Sequence, residues 1–93
     1  MKAMDLMDVK YVVKCNLAHA IYEAKYNVGK AWVDGIITSQ QQEMIDRELS
    51  NALTLSTVAI NNCESQQEID EVVAELEKHM QRYISRNNLP FKF

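Results

Sequence analysis

Residues that interrupt helices are almost absent from this chain of 93 residues, which contains only two glycines and one proline. Glycine weakens a helix through its backbone freedom, and proline does so because it lacks an N–H group. Gly35 and Pro90 stand where long helices can end, so we expect an all-α protein. A chain this short forms one domain and buries only about 60–65 % of its unfolded surface. Self-association would therefore add to its burial.

The first helix, helix A, is predicted over about residues 9–34. Its apolar residues recur every third or fourth position, which places them along one side of a helix. Asp8 is the candidate N-cap, because its side chain can accept a hydrogen bond from an unpaired backbone N–H. Gly35 is the candidate residue just past the helix, since glycine adopts the left-handed conformation at little cost. The stripe predicted to face the core consists of Val9, Val13, Leu17, Ala20, Ala24, Val28 and Ala31.

Helix B is predicted over about residues 40–62. Ser39 and Gln42 have the spacing of a capping box, and the apolar pattern resumes directly after them. Small residues along its apolar seam would let another helix approach closely. The predicted seam consists of Ile45, Leu49, Ala52, Ser56, Ala59 and Cys63.

Helix C is predicted over about residues 66–87, where apolar residues follow the helical period for four turns. Ser65 and Glu68 repeat the capping-box spacing. Pro90 disfavours helical geometry in the residue before it, so residues 88–93 are expected to form a tail. Short connections make neighbouring helices antiparallel. We therefore expect a three-helix antiparallel bundle, or a helical hairpin with an added helix, that self-associates into a homo-oligomer.

The net charge of −3 is distributed unevenly along the chain. If Lys and Arg count as +1 and Asp and Glu as −1, the net charge is +2 over residues 1–32, −8 over residues 33–79 and +3 over residues 80–93. Duplex DNA requires many contacts that neutralise phosphates, so binding to duplex DNA is not expected. No apolar run approaches the roughly 20 residues that span a bilayer, so we expect no membrane partner and a cytoplasmic location.

Residues that carry catalytic or metal chemistry do not occur in recognisable patterns. Cys15 and Cys63 fit no metal-binding spacing and are expected to be free thiols. His19 and His79 lie on different predicted helices, with no cysteine or carboxylate at the spacing of metal ligands. No nucleophile elbow or phosphate loop occurs. We therefore expect a non-catalytic protein without a metal or cofactor.

Helix A has a second face that a simple surface helix lacks. Opposite the apolar stripe lie Tyr11, Lys14, Cys15, Ala18, Tyr22, Lys25, Tyr26 and Gly29. One interpretation is that this face packs on helices B and C or on another copy of the protein, because tyrosine is favoured at interfaces. The other is that the tyrosine rings stack on a flat ligand while lysines meet its negative charge. The candidate ligand-binding residues are Tyr11, Tyr22, Lys25, Tyr26 and Lys30.

A family resemblance favours the second interpretation. The sequences YEA at residues 22–24 and KAW at residues 30–32 are followed by Ser39, Leu49, Ala52 and Ile60 at the spacing of a helical hairpin. Over residues 22–62 this pattern resembles the hairpin of phage anti-CBASS cyclic-nucleotide sponges. The resemblance implies an oligomer in the host cytoplasm that sequesters cyclic nucleotide signals between its protomers and so blocks an anti-phage defence. It also implies that a tyrosine and a basic residue contact the nucleotide.

The acidic sequence EIDEVVAELEK in helix C supports an alternative function. Asp70, Glu71, Glu75 and Glu77 are expected mainly on its exposed side, where a solvated surface is the simplest explanation. The alternative is a protein-interaction module, an inhibitor or adaptor, that binds a host protein partner through this acidic face or through the tail.

Trp32 lies between the two faces of helix A and is expected to anchor the core.

Overall fold

Three α-helices make up the computed structural model, which describes residues 5–89. They are α1 (Leu6–Val33), α2 (Ser39–Asn61) and α3 (Gln66–Arg86). The part of the chain that the structure describes contains no strand, and the all-α three-helix bundle is confirmed. The bundle is elongated, with dimensions of 50 × 22 × 19 Å. Of the predicted tail, all residues after Leu89 lie outside the described residues.

The N-termini of α1 and α2 begin at different residues from those predicted. Asp5, not Asp8, caps α1, and its carboxylate accepts a hydrogen bond of 2.9 Å from the Asp8 N–H. Thr38, not Ser39, caps α2 in a capping box with Gln41. An N-cap needs an extended backbone. Asp5 and Thr38 have that conformation, whereas Asp8 and Ser39 already lie inside their helices.

The capping box predicted at the N-terminus of α3 has two hydrogen bonds, and the structure contains one of them. Ser65 caps the helix and accepts a hydrogen bond of 3.2 Å from the Glu68 N–H. The Glu68 carboxylate accepts from the Glu64 N–H, at 3.2 Å, and not from the N–H of Ser65 as a capping box requires.

Left-handed residues end α1 and α3. Gly35 has a φ of 75°, and the next N–H, that of Ile36, donates to the carbonyl of Ala31 at 2.9 Å. Asn88 has a φ of 52°, and the N–H of Leu89 closes the equivalent hydrogen bond at 3.0 Å. Both are Schellman motifs, which satisfy the last carbonyls of a helix. The predicted ends near Gly35 and Asn88 are confirmed.

α1 and α2 form an antiparallel hairpin, and α3 packs mainly on α2. Lys14 in the first half of α1 donates to the side chain of Asn61 at the end of α2. The core lies among the three helices, and its buried residues include Leu17, Ile21, Val28, Ala31, Ile37, Ile45, Leu49, Ala52, Ile60, Leu76 and Met80.

Trp32 does not anchor this core, although the sequence placed it there. Its side chain is 43 % exposed, and its indole N–H donates to the hydroxyl of Ser39 at 2.9 Å. The aromatic ring therefore fastens the end of α1 to the start of α2 at the surface. The predicted seam of α2 is largely confirmed, because only Ala59 among its members is less than fully buried.

Candidate functional site

A row of uncovered aromatic and apolar side chains runs along α1. The exposed fractions of Tyr11, Tyr22 and Tyr26 are 69, 63 and 72 %. Members of the row are three or four residues apart, so at 100° per residue they fall within an arc of about 100°. We call this surface the tyrosine stripe, and it consists of Met7, Tyr11, Cys15, Ala18, Tyr22, Tyr26, Gly29 and Val33. The interpretation in which helices B and C cover this face is therefore wrong.

The lysines beside the tyrosine stripe differ in their partners. Lys14 donates to the Asn61 side chain at 2.7 Å, and Lys25, which is half-buried, donates to the Ser50 hydroxyl at 2.6 Å. Both partners lie on α2, so these two amines point away from the stripe's outer surface. Lys30 is exposed and, five residues after Lys25, lies at the opposite edge of the stripe.

The structure brings four of the five predicted ligand-binding residues close together. Tyr22, Lys25, Tyr26 and Lys30 occupy about two turns of α1. Tyr11 lies about 16 Å from Tyr22 along the helix axis, because each residue advances an α-helix by about 1.5 Å. A compact ligand on Tyr22 and Tyr26 would therefore leave Tyr11 outside, and it would not meet the Lys25 amine while that amine donates to Ser50.

A second surface is a groove of 760 Å³ between α2 and α3, which we call the acidic groove. Small residues on α2 keep its floor low and let apolar side chains of both helices reach the surface. Leu55, on its α2 side, is 71 % exposed. The floor consists of Ala52, Ala59, Val72 and Leu76, and Leu55 forms part of the apolar edge. The carboxylates that line it belong to Glu48, Glu68, Glu71 and Glu75.

The charge of the acidic groove is almost entirely negative. Within residues 5–89, its lining contains no lysine or arginine, and its one histidine, His79, pairs with Glu48. Glu75 has an exposed partner, Lys78, at 3.8 Å. Among the described residues, Glu68 and Glu71 have no cationic partner. These two carboxylates, Glu68 at one end of the groove and Glu71 one turn further along α3, are thus available to a positively charged ligand.

A tyrosine beside one end of the acidic groove has a raised pKa. Tyr83 on α3 is half-buried beside the core. Burial, with a smaller contribution from the Glu48 carboxylate, raises the pKa of Tyr83 above its usual value.

The sequence located only part of the acidic groove. Of the four acids predicted on the exposed side of EIDEVVAELEK, Glu71 and Glu75 line the groove, whereas Asp70 and Glu77 do not. The fifth acid of that sequence, Glu68, is predicted only as a helix-capping residue, yet it also lines the groove. Its spacing of three and seven residues from Glu71 and Glu75 was a signal that all three share one face of α3. Glu48 comes from α2, so no local pattern could connect it with them.

Residues 5–89 offer neither a metal site nor a membrane span. No cluster of three or more His, Cys, Asp or Glu side chains that could hold a metal ion is present there. None of the helices described combines the length and apolarity needed to cross a membrane. Comparison of the chain with protein-family models, curated proteins and solved structures finds no match. Its function must therefore be inferred from the tyrosine stripe and the acidic groove.

Proposed function

We propose that this protein is a non-catalytic binding module whose acidic groove holds a basic amphipathic helix of a partner protein. The observation that carries the proposal is the combination of an apolar floor and carboxylates in one groove. Apolar contact supplies affinity in complexes where a helix lies in a groove. Opposite charge supplies specificity and accelerates association. The module would act as an inhibitor or adaptor of that partner.

The dimensions of the acidic groove indicate the length of the bound segment. Its α3 side extends from Glu68 to His79, which is about 16 Å along a helix. A partner helix of about three turns would fill it. Such a helix would place apolar residues on the floor, near Leu55 and Val72, and lysines or arginines beside Glu68 and Glu71.

Charge reversal on α3 tests the proposal with a matched control. The groove variant carries Glu71→Lys and Glu75→Lys, and the control carries Asp70→Lys and Glu77→Lys on the same helix outside the groove. Both change the net charge equally. The probe is a fluorescent amphipathic peptide of leucine and lysine, with binding followed by anisotropy. We expect the groove variant to bind about tenfold or more weakly and the control to bind like the unaltered protein.

A second variant separates the apolar contribution from general attraction between charges. Leu55→Asp should also weaken peptide binding, because it replaces an apolar side chain at the edge of the groove with a charge that the bound helix would cover. Leu55 is 71 % exposed in the free protein, so the change should leave the core intact. Equal losses in the groove variant and the charge control would show that only overall charge matters, and would contradict the proposal.

A second candidate function is sequestration of cyclic nucleotides, as the resemblance to anti-CBASS sponges implies. The observation in its favour is the exposure of Tyr22 and Tyr26, with the exposed Lys30 at one edge of their row. Lys25, at the other edge, would have to leave the Ser50 hydroxyl to reach a phosphate. Exposed aromatic rings stack on bases, and cations attract phosphates.

A thermal-shift screen with cyclic di- and trinucleotides tests sequestration. One nucleotide should raise the melting temperature by several degrees, and Tyr26→Ala or Lys25→Ala should abolish the gain. Glu23→Ala, also on an exposed part of α1, is the control. If no cyclic nucleotide shifts the melting temperature, sequestration is excluded.

A further inference from the structure

The tyrosine stripe is a larger exposed apolar patch than the surface of a monomeric protein usually carries. From Met7 to Val33 it extends about 39 Å along α1. A buried aromatic side chain covers about 150–250 Å², so the exposed parts of the three tyrosines present roughly 300–500 Å². Met7 and Val33, which are 80 and 76 % exposed, add to this area. The total approaches the size needed for one side of a stable interface, about 800 Å².

The order of large and small residues in the tyrosine stripe is self-complementary. In two identical antiparallel helices, residues whose numbers have the same sum lie opposite each other. With the two-fold axis level with residue 20, Tyr11 faces Gly29, and Tyr22 faces Ala18. Each ring would thus lie over a small residue of the other copy, and the two ends would match as well. At those ends Met7 faces Val33. Tyr26 and Cys15 are one residue away from lying directly opposite each other, so they are neighbours across the interface.

Gly29 provides independent support for a covered stripe. It lies inside α1, where glycine weakens a helix relative to alanine. A Cβ atom at this position would meet nothing within 4 Å, and Gly29 has no positive φ that would require glycine. Packing among the described residues therefore does not explain the glycine. A tyrosine ring from a second copy, lying directly over the helix backbone, does.

The lysines at the α2 edge are compatible with the same pairing. Lys14 of one copy would come within one residue of the level of Lys25 in the other, and two free amines there would repel each other. Each amine instead donates to α2 of its own chain, Lys14 to Asn61 and Lys25 to Ser50. Their charges are thus drawn away from the facing surface, and the lysine stems can cover apolar area.

We propose that a second copy of this chain covers the tyrosine stripe, with the two α1 helices antiparallel about a two-fold axis level with residue 20. A parallel pair would place Tyr22 on Tyr22 and leave the levels of Ala18 and Gly29 poorly filled, so the antiparallel arrangement is the complementary one. The inference does not depend on the acidic groove, which α2 and α3 form.

The first test is the molecular mass in solution, measured by light scattering. The unaltered protein should have about twice the 10.7 kDa mass of one chain. Ala18→Glu with Tyr22→Glu should give the mass of one chain, with helicity retained by circular dichroism. The control, Asn16→Glu with Asn27→Glu, adds the same charge to exposed positions of α1 outside the stripe and should remain a dimer.

The second test fixes the register with a cysteine pair. In the proposed dimer, Tyr26→Cys brings a thiol beside the native Cys15 of the other copy, so a short bis-maleimide should join the two chains. Within one chain these positions lie about 16 Å apart along α1 and cannot be joined. In the unaltered protein the two Cys15 residues are separated by about 15 Å along the axis and should not crosslink, and Cys63 is buried.

Several results would overturn the proposal. Crosslinking of unaltered chains through Cys15 would show a parallel pair, and absence of crosslinking in Tyr26→Cys would contradict the register. Equal dissociation of the stripe variant and its control would exclude the stripe as the interface. The mass of a single chain, together with a melting-temperature gain on adding a cyclic dinucleotide, would assign the stripe to a ligand.

Discussion

The tyrosine stripe and the acidic groove are both exposed apolar surfaces, but they differ in where their charges lie. Beside the stripe, the amines of Lys14 and Lys25 are bonded to α2. Along the groove, Glu68 and Glu71 keep uncompensated carboxylates among the described residues. An apolar surface whose exposed charge, Lys30, lies only at one edge can meet a copy of itself. A groove lined by carboxylates repels its own copy and requires a basic partner. The position of a few charges thus decides whether an apolar surface is suited to self-association or to a different protein.

The largest expected effect comes from a change in the core on which both surfaces are built. Ile60 on α2 is fully buried, so Ile60→Ala should lower the free energy of unfolding by about 2–5 kcal/mol through lost contacts and a cavity. Leu55 is 71 % exposed in the same helix, and Leu55→Ala should change stability by less than about 0.5 kcal/mol. Urea denaturation measures both. Comparable losses would mean that Leu55 contributes to the core and not to a binding surface.

Salt should weaken binding at the acidic groove without weakening self-association through the tyrosine stripe. Raising the ionic strength from about 0.05 to 0.5 M screens exposed charges, so the acidic groove should bind a basic peptide about tenfold more weakly. The mass of the proposed dimer through the tyrosine stripe should not fall, because apolar contact is not screened. Anisotropy and light scattering on the same samples test this difference. Dissociation of the dimer by salt would instead indicate an interface held by charges.

Loss of the N-cap of α2, where the chain passes from the helix of the tyrosine stripe to a helix of the acidic groove, should have an intermediate effect on stability. Thr38→Ala removes the N-cap of α2 and should cost about 1 kcal/mol of stability. Asp8→Ala, at a position predicted to be a cap and found inside α1, should cost less. Thermal denaturation of both variants measures the difference. A larger loss for Asp8→Ala would contradict the observed cap positions.

The smallest expected effect concerns pH at one end of the acidic groove. The pKa of Tyr83 is raised in the folded protein, so the folded state retains the phenol proton more strongly than the unfolded state does. This contribution to stability is complete below the ordinary pKa of 10.0 and is lost as pH rises above it. Tyr83→Phe should therefore flatten the decline of stability above pH 10, and Glu48→Gln should flatten it less. An unchanged slope in Tyr83→Phe would contradict the shift.

Local patterns in the sequence were enough to predict the three helices and the tyrosine stripe. Helical periodicity depends on neighbours three and four residues apart, and Gly35 and Asn88 provide the left-handed conformation that ends a helix. The predicted N-cap of α1 was wrong by three residues and that of α2 by one, whereas Ser65 was predicted correctly as the N-cap of α3. Asp5 and Asp8, like Thr38 and Ser39, are similar residue types, and the path of the chain into the helix determines which one is extended.

The sequence by itself therefore determined the helices, their ends to within a few residues and the faces of each helix, because all of these depend on short-range spacing. Tertiary structure alone decided how each helix is rotated against its neighbours. That rotation left Trp32 at the surface, joined Lys25 to Ser50, and brought Glu48 of α2 beside the acids of α3. Contacts between helices depend on packing across the whole bundle, which the period of a single helix does not specify.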